Sequence, residues 1–509
     1  MKRATIIISL FCAFFGIAGA QNSYWVFFTD KRNTTFDPYQ YFDAKAMERY
    51  ALNGSDLYDI TNYPVNGEYA SAVENACEEL VGTSRWLNAA GVMATEDQIA
   101  VIRQFPFVAG IQLIASDMEM ASVEEAEQNA DDDDDLSQIT IHHGELFRQH
   151  NISGKGVRIA VFDAGFPDVD KHPAFRHLRD NHQIVKTWNF PRKKEDVYGW
   201  NSHGTMTLSC IAGRMGERDL GLATGAEFLL ARTEVNSEPF KEEVWWQMAV
   251  EWADKNGANI ISSSLGYGKE RHYTRDMDGT SYVAKAGNLA AHKGMLVVNS
   301  AGNEADERQW KTIITPADAD SVLCVGGIEN SLTSYNHIEF SSCGPSADGR
   351  LKPNVCAFGY AHTANTGKGD TSYHYVHGTS FSCPLVAGFA ACAWQASPGK
   401  TAMEMFHAIE HSADLYPYAD YAFGYGVPQA DYFCQAGETS PTEPTFRFVE
   451  DEDSVRVVPT HALKHTHLFY AFRRSSDHRL AYYGKLDVGY ADGGDAFTFS
   501  KKALFDRTM

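Results

Sequence analysis

The centre of this chain, residues 138–435, predicts an α/β fold: a mostly parallel sheet with helices on both faces. Two observations predict it. Short runs of strand character recur at 157–162, 227–231, 259–263, 295–299 and 322–326, the first of them apolar and rich in β-branched residues, the signature of a strand buried on both sides. Segments of helical character alternate with them, among them 203–212, 242–255, 283–292 and 380–394. Such alternation builds a parallel sheet covered on both faces. Trp245, Trp246, Met248, Ala249 and Trp252 on the second of these helices are expected to pack in the core.

Smaller units flank this region. Residues 1–20 read as a signal peptide. Lys2 and Arg3 precede an apolar stretch to about Ile17, and Ala18-Gly19-Ala20 offers a cut before Gln21. The stretch is shorter than the about 20 residues a comfortable span needs, and no second long apolar run follows. Cys12 lies inside the apolar run behind bulky Phe11, which speaks against a lipid anchor. The mature chain is therefore expected to be exported, secreted or periplasmic, with no transmembrane anchor. Residues 21–125 form a separate small α+β module, opened by the strand Tyr24-Trp25-Val26-Phe27-Phe28 and carrying a helix at 98–103. Residues 126–137 are an acidic linker ending in five aspartates, 131–135. Such runs repel themselves and stay solvated. A Gly/Thr/Ser/Pro stretch near 434–444 leads to short strands at 446–449, 455–458, 467–472, 480–483 and 497–499. Residues 445–509 thus read as a small β domain. His461, His465 and His467 there are expected to be exposed hairpin residues, with metal binding the sharper alternative.

Composition narrows the function. A net charge of −22 argues against a nucleic-acid binder, which needs a basic face. Of nine cysteines, eight remain beyond the signal segment, and none has metal-ligand spacing. Cys210, Cys383 and Cys392 fall on core helices and read as buried thiols. No metal site and no disulfide pairing is legible.

Four polar residues fall at strand-to-helix junctions. Asp163 ends the first strand, at the edge where open α/β sheets place their sites. His203 opens a helix in Asn201-Ser202-His203-Gly204-Thr205. Asn303 follows the 295–299 strand in Ser300-Ala301-Gly302-Asn303, and Ser380 opens the last long helix in His377-Gly378-Thr379-Ser380-Phe381-Ser382-Cys383-Pro384. A serine needs a base to become a nucleophile, and imidazole titrates near neutral pH. A carboxylate would orient the ring. The Asn303 amide and the Ser380 backbone N–H would hold an oxyanion at a helix start. Each residue alone has an ordinary structural explanation; the four in order are hard to assign to coincidence.

The Asp…His…Ser order is that of subtilisin, and the chain resembles the subtilase family. The motifs that carry the likeness are Asp163-Ala164-Gly165, His203-Gly204-Thr205, Ala301-Gly302-Asn303, and Gly378-Thr379-Ser380 with Pro384 and Ala387-Gly388. They span about half the chain. The resemblance implies a serine endopeptidase with Asp163, His203 and Ser380 catalytic and Asn303 in the oxyanion hole. It implies that Ser264, Leu265 and Gly266, with Ala301 and Gly302, bind an extended protein or peptide substrate by strand addition. It implies that 313–316 lines the specificity pocket, and that 21–125 is a propeptide that inhibits the enzyme until cut. A permanent N-terminal binding domain is the other reading of 21–125. No cofactor is required for the chemistry; structural calcium is common in the family, but no loop for it is legible. Ala164 stands where the family usually has a hydroxyl residue bonded to the aspartate, so Asp163 is expected to hold fewer bonds. Ser382 and Cys383 stand in place of the usual alanines. The alternative in another class is a catalytically silent binding or adhesion protein. A serine esterase would place its histidine after the serine, contrary to the order here.

Overall fold

The computed structural model describes residues 22–116, 138–235, 241–269, 271–307, 309–331, 336–366, 372–434, 446–459, 467–473, 480–487 and 497–502. The signal segment, the acidic run, His461 and His465 lie outside the described residues.

At the amino end, β1 (Asn22–Phe28), β2 (Glu79–Ser84), β3 (Ala89–Ala94) and β4 (Val108–Ser116) form an antiparallel sheet in the order β2-β3-β1-β4. The longer helices of this module are α1 (Ala44–Asn53), α2 (Gly67–Glu74) and α3 (Glu96–Ile102). Thr95 and Gln98 start α3 with a reciprocal capping box.

The centre is a seven-stranded sheet. Its strands are β5 (Arg158–Asp163), β6 (Ile184–Asn189), β7 (Glu227–Arg232), β8 (Ile260–Ser263), β9 (Leu296–Ser300), β10 (Val322–Ile328) and β11 (Val355–Phe358). They run in the order β11-β10-β9-β8-β5-β7-β6, and every pair is parallel. The helices that matter to the site are α4 (His203–Ala212), α5 (Glu242–Lys255), α6 (Tyr282–His292) and α7 (Thr379–Ala396). Side chains alternate across the sheet with the two-residue period of a strand. Ile159 and Val161 join α4 and α7 in one core, while Ala160 and Phe162 join α5 and α6 in the other. Trp245, Trp246 and Ala249 are buried in that second core, with Met248 and Trp252 packed against it. From β5 the chain goes to the edge strand β6, comes back to β7 between the two, and then crosses to β8 on the other side of β5. That reversal is the topological switch point at which open sheets form their crevice.

Beyond residues 138–434, strands 446–450, 454–459 and 497–500 form one small antiparallel sheet, and 467–473 with 480–487 form a hairpin. All eight described cysteines are free thiols, and Cys210, Cys383 and Cys392 are buried. Among the described residues no cluster of side chains could hold a metal ion, and no helix is long and apolar enough to cross a membrane.

His142 ties the start of this region to its end. Its Nδ1 lies 2.9 Å from the Pro428 carbonyl, which can only accept, so Nδ1 carries the proton. Its Nε2 is buried without a partner, beside the Phe389 ring. Burial pushes the imidazole down to about 4 from the ordinary 6.5. Unfolded, it takes a proton as pH falls through 6.5; folded, it stays neutral down to about 4. The unfolded state then binds more protons, so stability is full above 6.5 and is lost as pH falls from there toward 4. His142→Asn keeps the donor and removes the titration. Urea midpoints between pH 7 and 5 should fall less in His142→Asn than in the parent; equal slopes would contradict this account.

Candidate active site

Asp163 is the last residue of β5 and is fully buried. A carboxylate there is tolerable only with its acceptor sites filled. Three donors fill them. His203 Nδ1 lies 2.9 and 3.1 Å from the two carboxylate oxygens. The Ala164 amide donates to Oδ1 at 2.7 Å, and the Thr207 hydroxyl to Oδ2 at 3.0 Å. With Nδ1–H given to the carboxylate, the basic lone pair of His203 is on Nε2.

His203 is the first residue of α4, and its own amide donates to Asn201 Oδ1 at 2.8 Å. Gly204 lets the helix reach the strand end. A Cβ on it would lie 2.3 Å from the Gly165 carbonyl and 2.9 Å from Asp163 Cβ.

Ser380 is the second residue of α7, whose start at Gly378 has φ +141°, a conformation that favours glycine. Pro384 lies inside the helix. Lacking an N–H, it cannot bond the carbonyl four residues back, which is that of Ser380. Ser264 Oγ donates to this released carbonyl at 2.7 Å. Ser380 Oγ in turn donates to the Ser264 carbonyl at 3.4 Å. The nucleophile candidate and the end of β8 are thereby linked twice.

Asn303 reaches the same place from β9. Its Oδ1 accepts from the Thr379 amide at 2.9 Å and from the Thr379 hydroxyl at 3.0 Å. An amide donor on the oxygen side assigns Oδ1 and turns Nδ2 the other way. That Nδ2 is 3.6 Å from where a Cβ on Gly378 would stand.

The remaining sequence-predicted residues surround this centre. Ser264, Leu265 and Gly266 leave β8 as irregular chain, and the Leu265 carbonyl accepts from Asn299 Nδ2 at 2.9 Å. Gly266 is pressed against Ile314, whose Cδ1 would be 2.1 Å from an added Cβ. Gly302, at φ +110°, has Ile314 Cγ1 at 3.2 Å from its added Cβ. Ala301 is buried and its carbonyl accepts from the Ile314 amide at 3.1 Å. Ile314 therefore lies between the 264–266 and 301–302 segments. Tyr267 extends the first of these, its hydroxyl donating to Glu234 Oε1 at 3.0 Å. Burial first, then the nearby Glu242, holds the Glu234 carboxyl well above the usual carboxylate range.

One expectation is revised. Asp163 does not hold fewer bonds for want of a hydroxyl at Ala164, because Thr207 provides one. Thr207 lies four residues after His203, hence on the same helical face; that spacing was the available signal. Thr379, quoted only as part of a motif, also has a specific task as the clamp on Asn303. The two unusual residues after Ser380 are accommodated as donors. Ser382 Oγ bonds the Phe358 carbonyl at 3.0 Å, and Cys383 Sγ reaches the Val298 carbonyl at 3.4 Å. Burial pushes the Cys383 thiol up to about 12, so it stays neutral and unreactive.

Residues 154–426 match the Subtilase family, and residues 23–131 match the Peptidase S8 propeptide domain of Bacteroidota. Human membrane-bound transcription factor site-1 protease is 30% identical over 47% of this chain and 21% of its own length. The thermophilic serine proteinase of Bacillus sp. (strain AK1) is 30% identical over 53% of this chain and 60% of its own. Subtilisin E of Bacillus subtilis (strain 168) is 27% identical over 54% and 64%. The chain thus spans about a fifth of site-1 protease and under two thirds of these bacterial relatives. With one match covering more than half of its length, the chain belongs to the subtilase family and carries that family's propeptide domain ahead of the catalytic region.

Proposed function

We propose that this protein is an exported serine endopeptidase, secreted or periplasmic, made as a zymogen. The observation that carries the reading is the buried Asp163 carboxylate, bonded to His203 Nδ1 at 2.9 Å with its other donors in place. Ser380 attacks a peptide carbonyl as His203 Nε2 takes its proton. The hydroxyl exchanges its 3.4 Å bond to the Ser264 carbonyl, weak at that length, for one to the imidazole. Asp163 stabilises the imidazolium without taking the proton. The oxyanion is held by Asn303 Nδ2 and the Ser380 amide at the positive end of α7. His203 then protonates the leaving amine, and water releases the acyl group by the same route. Substrate lies extended along Ser264, Leu265 and Gly266, with Ala301 and Gly302 opposite. Ile314 between those walls favours an apolar side chain of moderate size. Residues 21–125 act as inhibitor until the 126–137 linker is cut.

Three substitutions test this. Ser380→Ala should lower turnover by several orders of magnitude, since only binding and the oxyanion hole remain. It should abolish labelling by a fluorophosphonate and leave residues 21–125 on the chain in a host without related proteases. Labelling that survives the change would sink the assignment. Asn303→Ala should slow turnover roughly a hundred- to a thousand-fold, about 2.7–4 kcal/mol, with little change in KM. A raised KM with turnover intact would make Asn303 a substrate-binding residue instead.

Thr207 acts through Asp163 as a positioning residue. Removing one hydrogen bond to a buried charge is worth about 1.5–3 kcal/mol, so Thr207→Val should cost about ten- to a hundredfold in turnover. It should also shift the acid limb of the pH–rate profile, which a purely structural role would leave in place. Ala164→Ser, added to Thr207→Val, should restore most of both. An unmoved profile, or no rescue in a folded double variant, would refute the role.

A further inference from the structure

Glu234 lies two residues beyond β7, at the same edge of the sheet as Asp163. The chain there is tied to the candidate centre. The Thr233 amide donates to the Asp163 carbonyl at 2.9 Å, and Arg232 Nε to the Ala164 carbonyl at 2.8 Å. From the other side of β5, Tyr267 follows the 264–266 segment that leaves β8. Its amide donates to the Thr315 carbonyl at 2.8 Å, and its carbonyl accepts from the Thr315 amide at 3.3 Å. Tyr267 is thereby fixed to the chain just after Ile314. Its hydroxyl donates to Glu234 Oε1 at 3.0 Å. In the sheet order β8-β5-β7, this bond joins the ends of the two strands that flank Asp163, about 10 Å apart at two strand spacings.

Glu234 is one of a pair. Glu242, the first residue of α5, is fully buried, and its carboxyl is hydrogen-bonded to that of Glu234. Glu242 Oε1 also accepts from the Val235 amide at 2.8 Å, and Arg271 Nη2 donates to its Oε2 at 2.6 Å. The same guanidinium lies 4.5 Å from the centre of the Tyr267 ring. Next along α5, Glu243 Oε1 is 3.2 Å from His272 Nε2. With Arg232, these are the charged and titratable groups around Glu234. An ionised carboxylate only accepts, so two carboxyls bonded to each other share a proton. The amide and the guanidinium are both taken by Glu242, which therefore carries the charge, and Glu234 keeps the proton. A second ionised carboxylate there would face the first across one hydrogen bond, away from water.

We infer that Glu234, as the neutral member of this pair, is a positioning residue for the substrate cleft: it holds Tyr267, and through it the 264–266 segment and Ile314, against the strand end that carries Asp163. Glu234 touches no reacting atom. It keeps the wall on which an extended peptide lies at a fixed distance from the nucleophile, so binding does not have to order that wall. A neutral acid suits the place because it accepts from Tyr267 and donates to Glu242 at once; an ionised one could only accept. Arg271, held by Glu242, braces the ring of the same tyrosine. The inference deepens the protease reading and rests on it for the identity of the substrate.

The test compares hydrolysis of an extended peptide with that of a single-residue ester, which reaches Ser380 without lying along 264–267. Glu234→Ala and Tyr267→Phe should each raise KM for the peptide about tenfold, the effect of one buried hydrogen bond lost, with a much smaller change in kcat. The ester should respond far less than the peptide. The two changes combined should cost no more than either alone, because they remove the same bond. Glu234→Gln, whose amide accepts from Tyr267 and donates to Glu242, should bring KM back to the parent's value. The infrared spectrum of the parent at neutral pH should contain a protonated-carboxyl band that is missing from Glu234→Gln.

If Glu234→Ala fails to fold, Tyr267→Phe and Glu234→Gln, both close to the parent in shape, carry the test. The role is refuted if folded Tyr267→Phe keeps the parent's KM, if peptide and ester suffer equally, if the two losses add, or if no infrared band is lost. A loss in Glu234→Gln as large as in Glu234→Ala, confined to peptides with Lys or Arg side chains, would make Glu234 an ionised substrate contact and overturn the inference as well. Failure of the protease reading would look different: the parent itself would cleave neither substrate.

Discussion

A carboxylate buried away from water constrains the rest of this molecule. Asp163 has no exposed surface, and an ionised group so placed is costly until its oxygens are bonded. Its donors come from its own strand end, from His203 and from Thr207 one turn further along α4. To deliver the last two, α4 must press against the end of β5, which requires Gly204 and its close approach to Gly165. Burial of the charge, docking of the helix and the tautomer of the imidazole are thus one arrangement.

The other half of the centre is organised by missing and borrowed hydrogen bonds. Pro384 denies the Ser380 carbonyl its helical partner, and Ser264 takes that place. Thr379 occupies the oxygen of Asn303 and so commits its N–H group to the opposite side. Neither link is chemistry in itself. Each ties a residue of α7 to a neighbouring strand end, so the serine, the amide and the 264–266 segment keep one relative geometry. The amino-terminal module holds the same sheet by its far end and by helices α5 and α6. The region of the central sheet is thereby bound at the end of β5 opposite Asp163.

Much of this was legible in the sequence because strand period and strand-end chemistry are local. The runs ending near Asp163 and Ser300 are largely apolar, so their parallel, two-sided burial follows from their pattern. The four polar residues lie in short motifs at junctions, where spacing alone brings them to one sheet edge. Contacts between distant segments were not legible. Nothing local marks Asp254 as the partner of Arg49 and Arg85, which lie more than 160 positions earlier. The excursion at 29–66 is polar and aromatic without a clear period, so the strand ends it would cover could not be read. Thr207 was within reach, four residues from His203, but a threonine inside an apolar helix reads first as filler. The bond left open by Ala164 had no visible replacement until the helix was seen against the strand.

The most direct test of the account is a crystal structure of the mature enzyme with a peptide boronic acid, whose tetrahedral adduct mimics the proposed intermediate. The account predicts a covalent bond from Ser380 Oγ to boron, with one boronate oxygen about 2.7–3.1 Å from both Asn303 Nδ2 and the Ser380 amide. It also predicts His203 still bonded through Nδ1 to Asp163. Boron bound elsewhere, or a boronate oxygen turned away from Asn303, would contradict it.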